Sequence, residues 1–223
     1  MIIDGDRVAV AVSGGKDSLS LLTLLRMRQR NAPQRYELVA VNVRGDARGY
    51  ECPHHPVLAE WLETRGYTFT VVPIDLPKDE PLPLTCQRCT WNRRKTIFRA
   101  AERWDCNVVA FAHNADDLAQ TTLLNLFFGG RVETMALSSE YFGGRFRLIR
   151  PLAFVAEKDV RYFSRACDFP PPPDDCPRAK ESQRERMDQV LRMFGKDAHK
   201  VRMNLVRAAL KHGQIRPRKV EGT

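Results

Sequence analysis

Between the apolar run Arg7–Val12 and the leucine-rich segment Ser18–Gln29 stands Ser13-Gly14-Gly15-Lys16-Asp17-Ser18. No other stretch limits the fold as strongly. A β-type run, a glycine turn and a 3.6-period helix in direct succession open a βαβ unit, which belongs to parallel sheets covered on both faces. Two glycines let the backbone approach an anion without a Cβ clash. The first amides of the helix then face that anion, and the helix dipole favours its charge. Ser13 and Ser18 add hydroxyl donors, Lys16 adds a point charge, and Asp17 offers a carboxylate suited to magnesium. The pattern points to bound phosphate, but it is not the GxxxxGK[ST] loop of ordinary nucleotide hydrolases.

The rest of the chain repeats the alternation. Strands are predicted at Arg7–Val12, Glu37–Val43, Thr68–Val72, Asn107–His113 and, shorter, Arg147–Ile149. Helices are predicted at Ser18–Gln29, Pro56–Arg65, Arg88–Trp104 and Asp116–Phe128, with Gly66 ending the second and Gly129 and Gly130 ending the last. The fold class is therefore α/β, a doubly wound and mainly parallel sheet. Such sheets bind ligands at the carboxyl ends of their strands, so the loops after Val12, Val43 and Phe111 should meet. After Pro151 the character changes. Helices at Glu157–Ala166, Arg178–Phe194 and Ala198–His212 are expected, with fraying from Gln214. This divides the chain into a nucleotide-binding domain over 1–150, which includes the CxxC segment, and a helical extension over 151–223. Phe169–Pro173 carries four consecutive prolines, which adopt an extended form and place Cys176 on a constrained loop.

The fourth strand leads into His113-Asn114-Ala115-Asp116-Asp117. A carboxylate pair at a strand end suits magnesium, which neutralises a phosphate leaving group. Asn114 or Asp116 could instead simply cap the following helix. Beside the phosphate loop, Asp117 is the strongest nucleotide ligand of the set, with Asp116 and His113 behind it.

The formal net charge of +9 suggests a polyanionic partner, usually nucleic acid. Arg88, Arg93, Arg94, Lys95 and Arg99 cluster on one helix, and Lys211, Arg216, Arg218 and Lys219 form a basic tail. Trp91 sits in that helix, where it either packs or stacks an unpaired base. The apolar runs Val8–Val12 and Val108–Ala112 fall far short of a bilayer span, and Met1–Arg7 has no signal-peptide core, so a cytoplasmic protein without membrane contact is expected.

Six cysteines in such a chain read as metal binding, redox chemistry or packing rather than a disulfide framework. Cys106 and Cys167 lie in apolar surroundings and read as core. Cys86-Gln87-Arg88-Cys89, just before the basic helix, brings two thiolates onto one turn, as zinc and iron–sulfur sites require. A further ligand is needed. Cys176 supplies it for one reading. Cys52, His54 or His55 would complete a zinc site in another, and a persulfide on Cys86 or Cys89 needs no metal at all.

The phosphate loop resembles the PP-loop of ATP pyrophosphatases, which cleave ATP between the α and β phosphates. The HxxDD, TxxLN and FxGG elements within His113–Arg131 resemble the tRNA 2-thiocytidine synthetase (TtcA) family in particular. So do Asp4-Gly5-Asp6-Arg7-Val8, Ile149-Arg150-Pro151-Leu152 and Glu157-Lys158-Asp159. The resemblance implies an adenine nucleotide alpha-hydrolase-like architecture, with ATP held by Ala11, Ser13–Ser18, Val41, Val43, His113, Asp116 and Asp117. It implies that Lys16, Asp17 and Asp117, with Mg2+, carry the chemistry, and that Arg88, Arg93, Arg94 and Lys95 contact tRNA. Cys86, Cys89 and Cys176 match the positions that hold a [4Fe-4S] cluster. The implied reaction adenylates a tRNA base, most simply a cytidine of the anticodon loop, and replaces its oxygen by sulfur from a cysteine desulfurase or free sulfide. A homodimer is a further expectation from the resemblance.

Overall fold

The computed structural model describes residues 1–45, 56–172 and 183–215. Six strands form one sheet: β1 (Arg7–Ala11), β2 (Glu37–Arg44), β3 (Phe69–Pro73), β4 (Val108–Ala110), β5 (Ser138–Tyr141) and β6 (Phe146–Ile149). Their order is β3-β2-β1-β4-β6-β5. All pairings are parallel except β5 with β6. The helices are α1 (Lys16–Asn31), α2 (Pro56–Thr64), α3 (Cys86–Arg103), α4 (Ala115–Gly129), α5 (Glu157–Arg165), α6 (Gln183–Arg192) and α7 (Ala198–Ile215).

Strand alternation divides the core. Val8, Val10 and Val12 point to one face, where Leu19, Leu22 and Leu25 of α1 and Leu58 and Leu62 of α2 cover them. Ala9, Val39, Val41 and Val109 point to the other, against Ile97, Phe98 and Ala101 of α3. Strands buried on both faces read as continuous apolar runs for this reason. Each fully buried leucine contributes about 1.5–3 kcal/mol. A third cluster joins Leu118 and Leu123 of α4 to Met187 and Leu191 of α6 and Val206 of α7. At the amino ends of the strands the buried Asp6 carboxylate accepts from Asn107 Nδ2 at 2.9 Å and pairs with Arg147 at 2.5 Å, tying β1, β4 and β6 together.

The strand order reverses beside β1, between β1 and β4, which makes the carboxyl ends of these two strands the ligand-binding crevice of a doubly wound sheet. Val12 N–H donates to Val41 O at 2.9 Å and Phe111 N–H to Ile149 O at 3.0 Å, so the loops that leave β1, β4 and β6 lie side by side there. No helix among the described residues is long and apolar enough to cross a membrane.

Three expectations need correction. The predicted strand Asn107–His113 is regular only over Val108–Ala110. The prediction also lacks β5, since Ser138-Ser139-Glu140-Tyr141 has no apolar run. Its signal lies in the following turn, where Phe142, Gly143 and Gly144 take φ of +54°, +66° and +88°. A Gly-Gly pair between short runs is a hairpin signature. The predicted helix Arg178–Phe194 is seen over Gln183–Arg192, and residues 173–182 lie outside the described residues.

Candidate active site

The phosphate loop is held in shape by its own hydrogen bonds. Gly14 takes φ +89°, which a side chain would strain. Ser13 N–H donates to Ser18 Oγ at 3.2 Å, and Ser18 Oγ donates to Gly15 O at 2.9 Å. Gly15 N–H reaches Ser13 Oγ at 3.3 Å. These bonds curl the loop around the start of α1. Gly15 caps that helix without a side-chain bond, which leaves first-turn amides for an anion.

Lys16 and Asp17 occupy the first turn of α1. Lys16 Nζ lies 2.8 Å from Asp17 Oδ2 and 3.0 Å from Glu157 Oε1 at the start of α5. Burial acts to lower the Lys16 pKa, but the two carboxylates outweigh it and hold it above its ordinary value. Asp17 Oδ1 accepts from Asn114 Nδ2 at 3.1 Å, a contact that joins the loops after β1 and β4.

Asn114 also accepts from Asp116 N–H and Asp117 N–H, while Asp117 Oδ2 accepts from Asn114 N–H at 2.9 Å. This reciprocal pair is a capping box at the start of α4. The capping role falls to Asn114, and Asp117 stands beside Asp17. Burial pushes the Asp117 carboxyl above its ordinary range, against the pull of the Asn114 amide and Arg184.

The PP-loop domain family matches residues 3–191. The tRNA-cytidine(32) 2-sulfurtransferase of Citrifermentans bemidjiense is 38% identical over 215 residues, covering 93% of this chain and 83% of that protein. The chain belongs to the TtcA family of PP-loop proteins. The enzyme of the same name from Geobacter sp. strain M21 matches with the same identity and coverage. The solved structure of the U34-tRNA thiolase NcsA from Methanococcus maripaludis with its [4Fe-4S] cluster superposes with a TM-score of 0.78 over 98% of this chain and 76% of that one. Its sequence identity is 24%, and it shares the adenine nucleotide alpha-hydrolase-like fold.

Other expected ligands are placed differently in this TtcA-family chain. Asp116 is turned away from the phosphate loop. Its Oδ2 accepts from Glu157 N–H at 2.8 Å, capping α5, and its Oδ1 pairs with Arg202 of α7 at 2.6 Å. Arg202 also reaches Asp188 of α6. Asp116 thus fastens the three C-terminal helices behind the site. Arg202→Ala leaves a buried carboxylate unpaired and is expected to cost about 3–5 kcal/mol. Thermal unfolding checks this, and an unchanged midpoint would show that the pair holds nothing together. Val41 and Val43 are buried at the carboxyl end of β2, and their carbonyls are engaged by Val12 N–H and by Arg93 Nη2 at 3.0 Å. Ala11 is half-buried at the end of β1.

The CxxC motif lies inside α3, not just before it. Thr85 is the N-cap, accepting from Arg88 N–H at 3.2 Å, so Cys86 is the first helical residue and Cys89 the fourth. Three residues apart, the two thiols share one helix face. Cys86 is exposed and Cys89 half-buried. First-turn amides and the helix dipole favour an anionic ligand set there. The pair fits two ligands of a cluster or zinc site, and no group of three metal-binding side chains occurs among the described residues. Cys176, Cys52, His54 and His55 lie outside the described residues. Burial raises the Cys106 thiol to about 11, which marks it as inert core. Cys167, expected in the core, is half-buried.

The basic face of α3 is more engaged than its sequence suggests. Arg88 forms a fork with Glu80, with Nε to Oε1 at 2.7 Å. Lys95 lies 3.5 Å from Asp75, which also pairs with Arg99. Trp91 is 53% exposed, and the Arg88 and Lys95 cations lie 5.2 and 5.7 Å from its ring centroid. It does not pack into the core. Arg94 instead reaches the Phe111 ring, at 5.8 Å, and Phe111 stacks on His113 at 5.7 Å. Burial, followed by Arg150, Arg184 and Arg94, pushes His113 down to about 3, so its ring is neutral at physiological pH. Sequence reasoning missed Glu157 as a partner of Lys16, gave Arg150 no role beyond its family-matching stretch, and missed Arg184.

Proposed function

We infer that this chain is a cytoplasmic, ATP-dependent tRNA thiolase that adenylates a cytidine and replaces its oxygen by sulfur, giving 2-thiocytidine. The observation that carries the reading is the juxtaposition at the switch point. A phosphate loop bearing Lys16 and Asp17 meets the Asn114–Asp117 turn, and a helix with CxxC in its first turn covers the neighbouring strands. The family membership of the chain gives that geometry its substrate.

The triphosphate lies along Ser13–Ser18, with adenine beside the carboxyl end of β2 at Val41–Val43. His113 borders the site as a neutral ring. The base oxygen attacks the α-phosphate and pyrophosphate leaves. Lys16 exchanges Glu157 for phosphate oxygens and stabilises the charge that develops there, a role worth most where water is excluded. Asp17 and Asp117 would hold Mg2+, which would neutralise the charge of the departing pyrophosphate. Sulfur then bonds to the carbon that carries the adenylate, and AMP takes away the former base oxygen. Cys86, Cys89 and Cys176 would hold a [4Fe-4S] cluster, which would supply sulfur at the sulfide level, taken either from free sulfide or from the persulfide of a cysteine desulfurase together with a two-electron thiol reductant. Arg88 and Lys95, beside the exposed Trp91, and Arg94 contact tRNA, while Arg93 supports α3 through the Val43 carbonyl, and affinity for RNA falls as salt rises.

Pyrophosphate release is the first test. Incubation with ATP and tRNA is expected to release pyrophosphate, with little released when tRNA is left out. Equal release with and without tRNA, or none in either case, would remove the tRNA-modifying reading.

A further inference from the structure

Arg94 and Arg150 meet the His113 imidazole where the crevice opens beyond β4 and β6, and the exposed Arg184 acts on the same imidazole from the start of α6. Ala110 pairs with Ile149 across these parallel strands, and Phe111 N–H donates to Ile149 O at 3.0 Å. Arg150 therefore leaves the sheet beside Phe111 and His113. Arg94 comes down from α3 onto the Phe111 ring. Arg184, at the start of α6, is close enough to act on both His113 and Asp117.

Asp117 is the carboxylate that Arg184 acts on, and no ion pair joins the two. None of Arg94, Arg150 and Arg184 forms an ion pair with a carboxylate among the described residues. Arg150 is only 4% exposed, and although one of its terminal nitrogens donates to Ala136 O, its Nε has no hydrogen-bond partner. The same is true of His113 Nδ1. Orphaned buried donors are rare, and an unpaired buried cation costs several kcal/mol. The cost is visible in Arg150, which burial and then Arg94 push down to about 10. Among the described residues, like charges gathered beside unused donors favour an anion between them.

We propose that Arg94, Arg150, Arg184 and His113 form an anion site that holds one backbone phosphodiester of the RNA substrate beside the target base. The proposal rests on the tRNA-modifying reading above. ATP already has its cradle at the end of β1, on the Ser13–Ser18 loop. The guanidinium cluster lies one step along the sheet, at β4 and β6. It is reached from the helix that carries the two cysteines, with Arg94 five residues after Cys89. A base that must meet both the α-phosphate and the sulfur source has to lie between these groups, and its own phosphate then falls against the arginines. Guanidinium forks suit a phosphodiester, and the Arg94–Phe111–His113 stack gives the site a rigid wall.

The test uses the full chain, an anticodon stem-loop RNA containing the target cytidine, and the half-buried or exposed arginines, which can be changed without emptying the core. Arg94→Gln and Arg184→Gln are each expected to weaken RNA binding about tenfold and to make the salt dependence shallower by about one phosphate contact. ATP binding should stay at the wild-type value. A stem-loop with one neutral methylphosphonate next to the target cytidine should lose affinity for the wild type and lose nothing further with Arg94→Gln. Unchanged RNA binding in both variants, or additive losses with every singly neutralised RNA tried, overturns the site. If the variants lose ATP affinity instead, the anion is a nucleotide phosphate and the proposal fails. A wild-type chain that binds ATP but no tRNA defeats the wider reading, and this one with it. The three results that strike the site alone all leave wild-type tRNA binding intact.

Discussion

Replacing Lys16 by methionine is expected to slow RNA-dependent pyrophosphate release about 10²–10³-fold, the loss typical when one preorganised donor is taken from a developing charge. Two effects add in the same direction. The ammonium that meets the phosphates is gone, and the carboxylates it balances, Asp17 at 2.8 Å and Glu157 at 3.0 Å, are left facing the incoming anion. Stability should change little, because Lys16 is a partly exposed helix-start residue and not core. Arginine is a poor substitute, since its planar fork replaces a compact point charge in a loop built on backbone contacts. Single-turnover release measured at saturating ATP separates this chemical effect from weaker binding. A variant that turns over at the wild-type rate once ATP is saturating would place Lys16 in ground-state binding alone.

Alanine at Cys86 or Cys89 is expected to abolish sulfur insertion while ATP binding and RNA-dependent pyrophosphate release continue. The two thiols stand one helical turn apart at the start of α3, away from the Ser13–Ser18 loop in sequence and on a different element. On the proposed ligand set, losing one of three cysteines removes the cluster, whereas the proposed adenylation uses groups at the carboxyl ends of β1 and β4. Iron and acid-labile sulfide, measured after anaerobic purification, should fall together in either variant. Wild-type thiolation in both would leave the pair as ordinary helix-start residues. Stoichiometric zinc in place of iron would keep the ATP site and move the sulfur chemistry elsewhere.

The parts of this site that were legible in the sequence are those whose chemistry is local. Ser13–Ser18 announces itself because strand, glycine turn and helix are contiguous, and His113–Asp117 because a strand runs straight into a capping sequence. The Cys86–Cys89 spacing is visible, but its place inside α3 depends on Thr85 acting as the cap, which a helix estimated from its basic run places two residues too late. Asp116 reads like Asp117 in one dimension. Only the folded chain brings Arg202, 86 positions further on, to its carboxylate, because successive side chains in a helix point in different directions. Arg93 shows the same limit, since its partner is the carbonyl of Val43 across the α3–β2 contact. The Arg94–Arg150–Arg184 cluster draws one residue each from α3, the end of β6 and α6, and no spacing rule links them. The β5 strand stayed hidden because an edge strand covered on one side needs little apolar surface.

Nucleoside analysis of the reacted RNA tests the central claim most directly. The anaerobically purified protein is incubated with sulfide, ATP, Mg2+ and unmodified tRNA, and the RNA is digested and examined by mass spectrometry. 2-Thiocytidine is expected, formed only when ATP is present and matched by AMP. No sulfur-containing nucleoside, a thiolated uridine instead, or thiolation that proceeds without ATP would contradict the account.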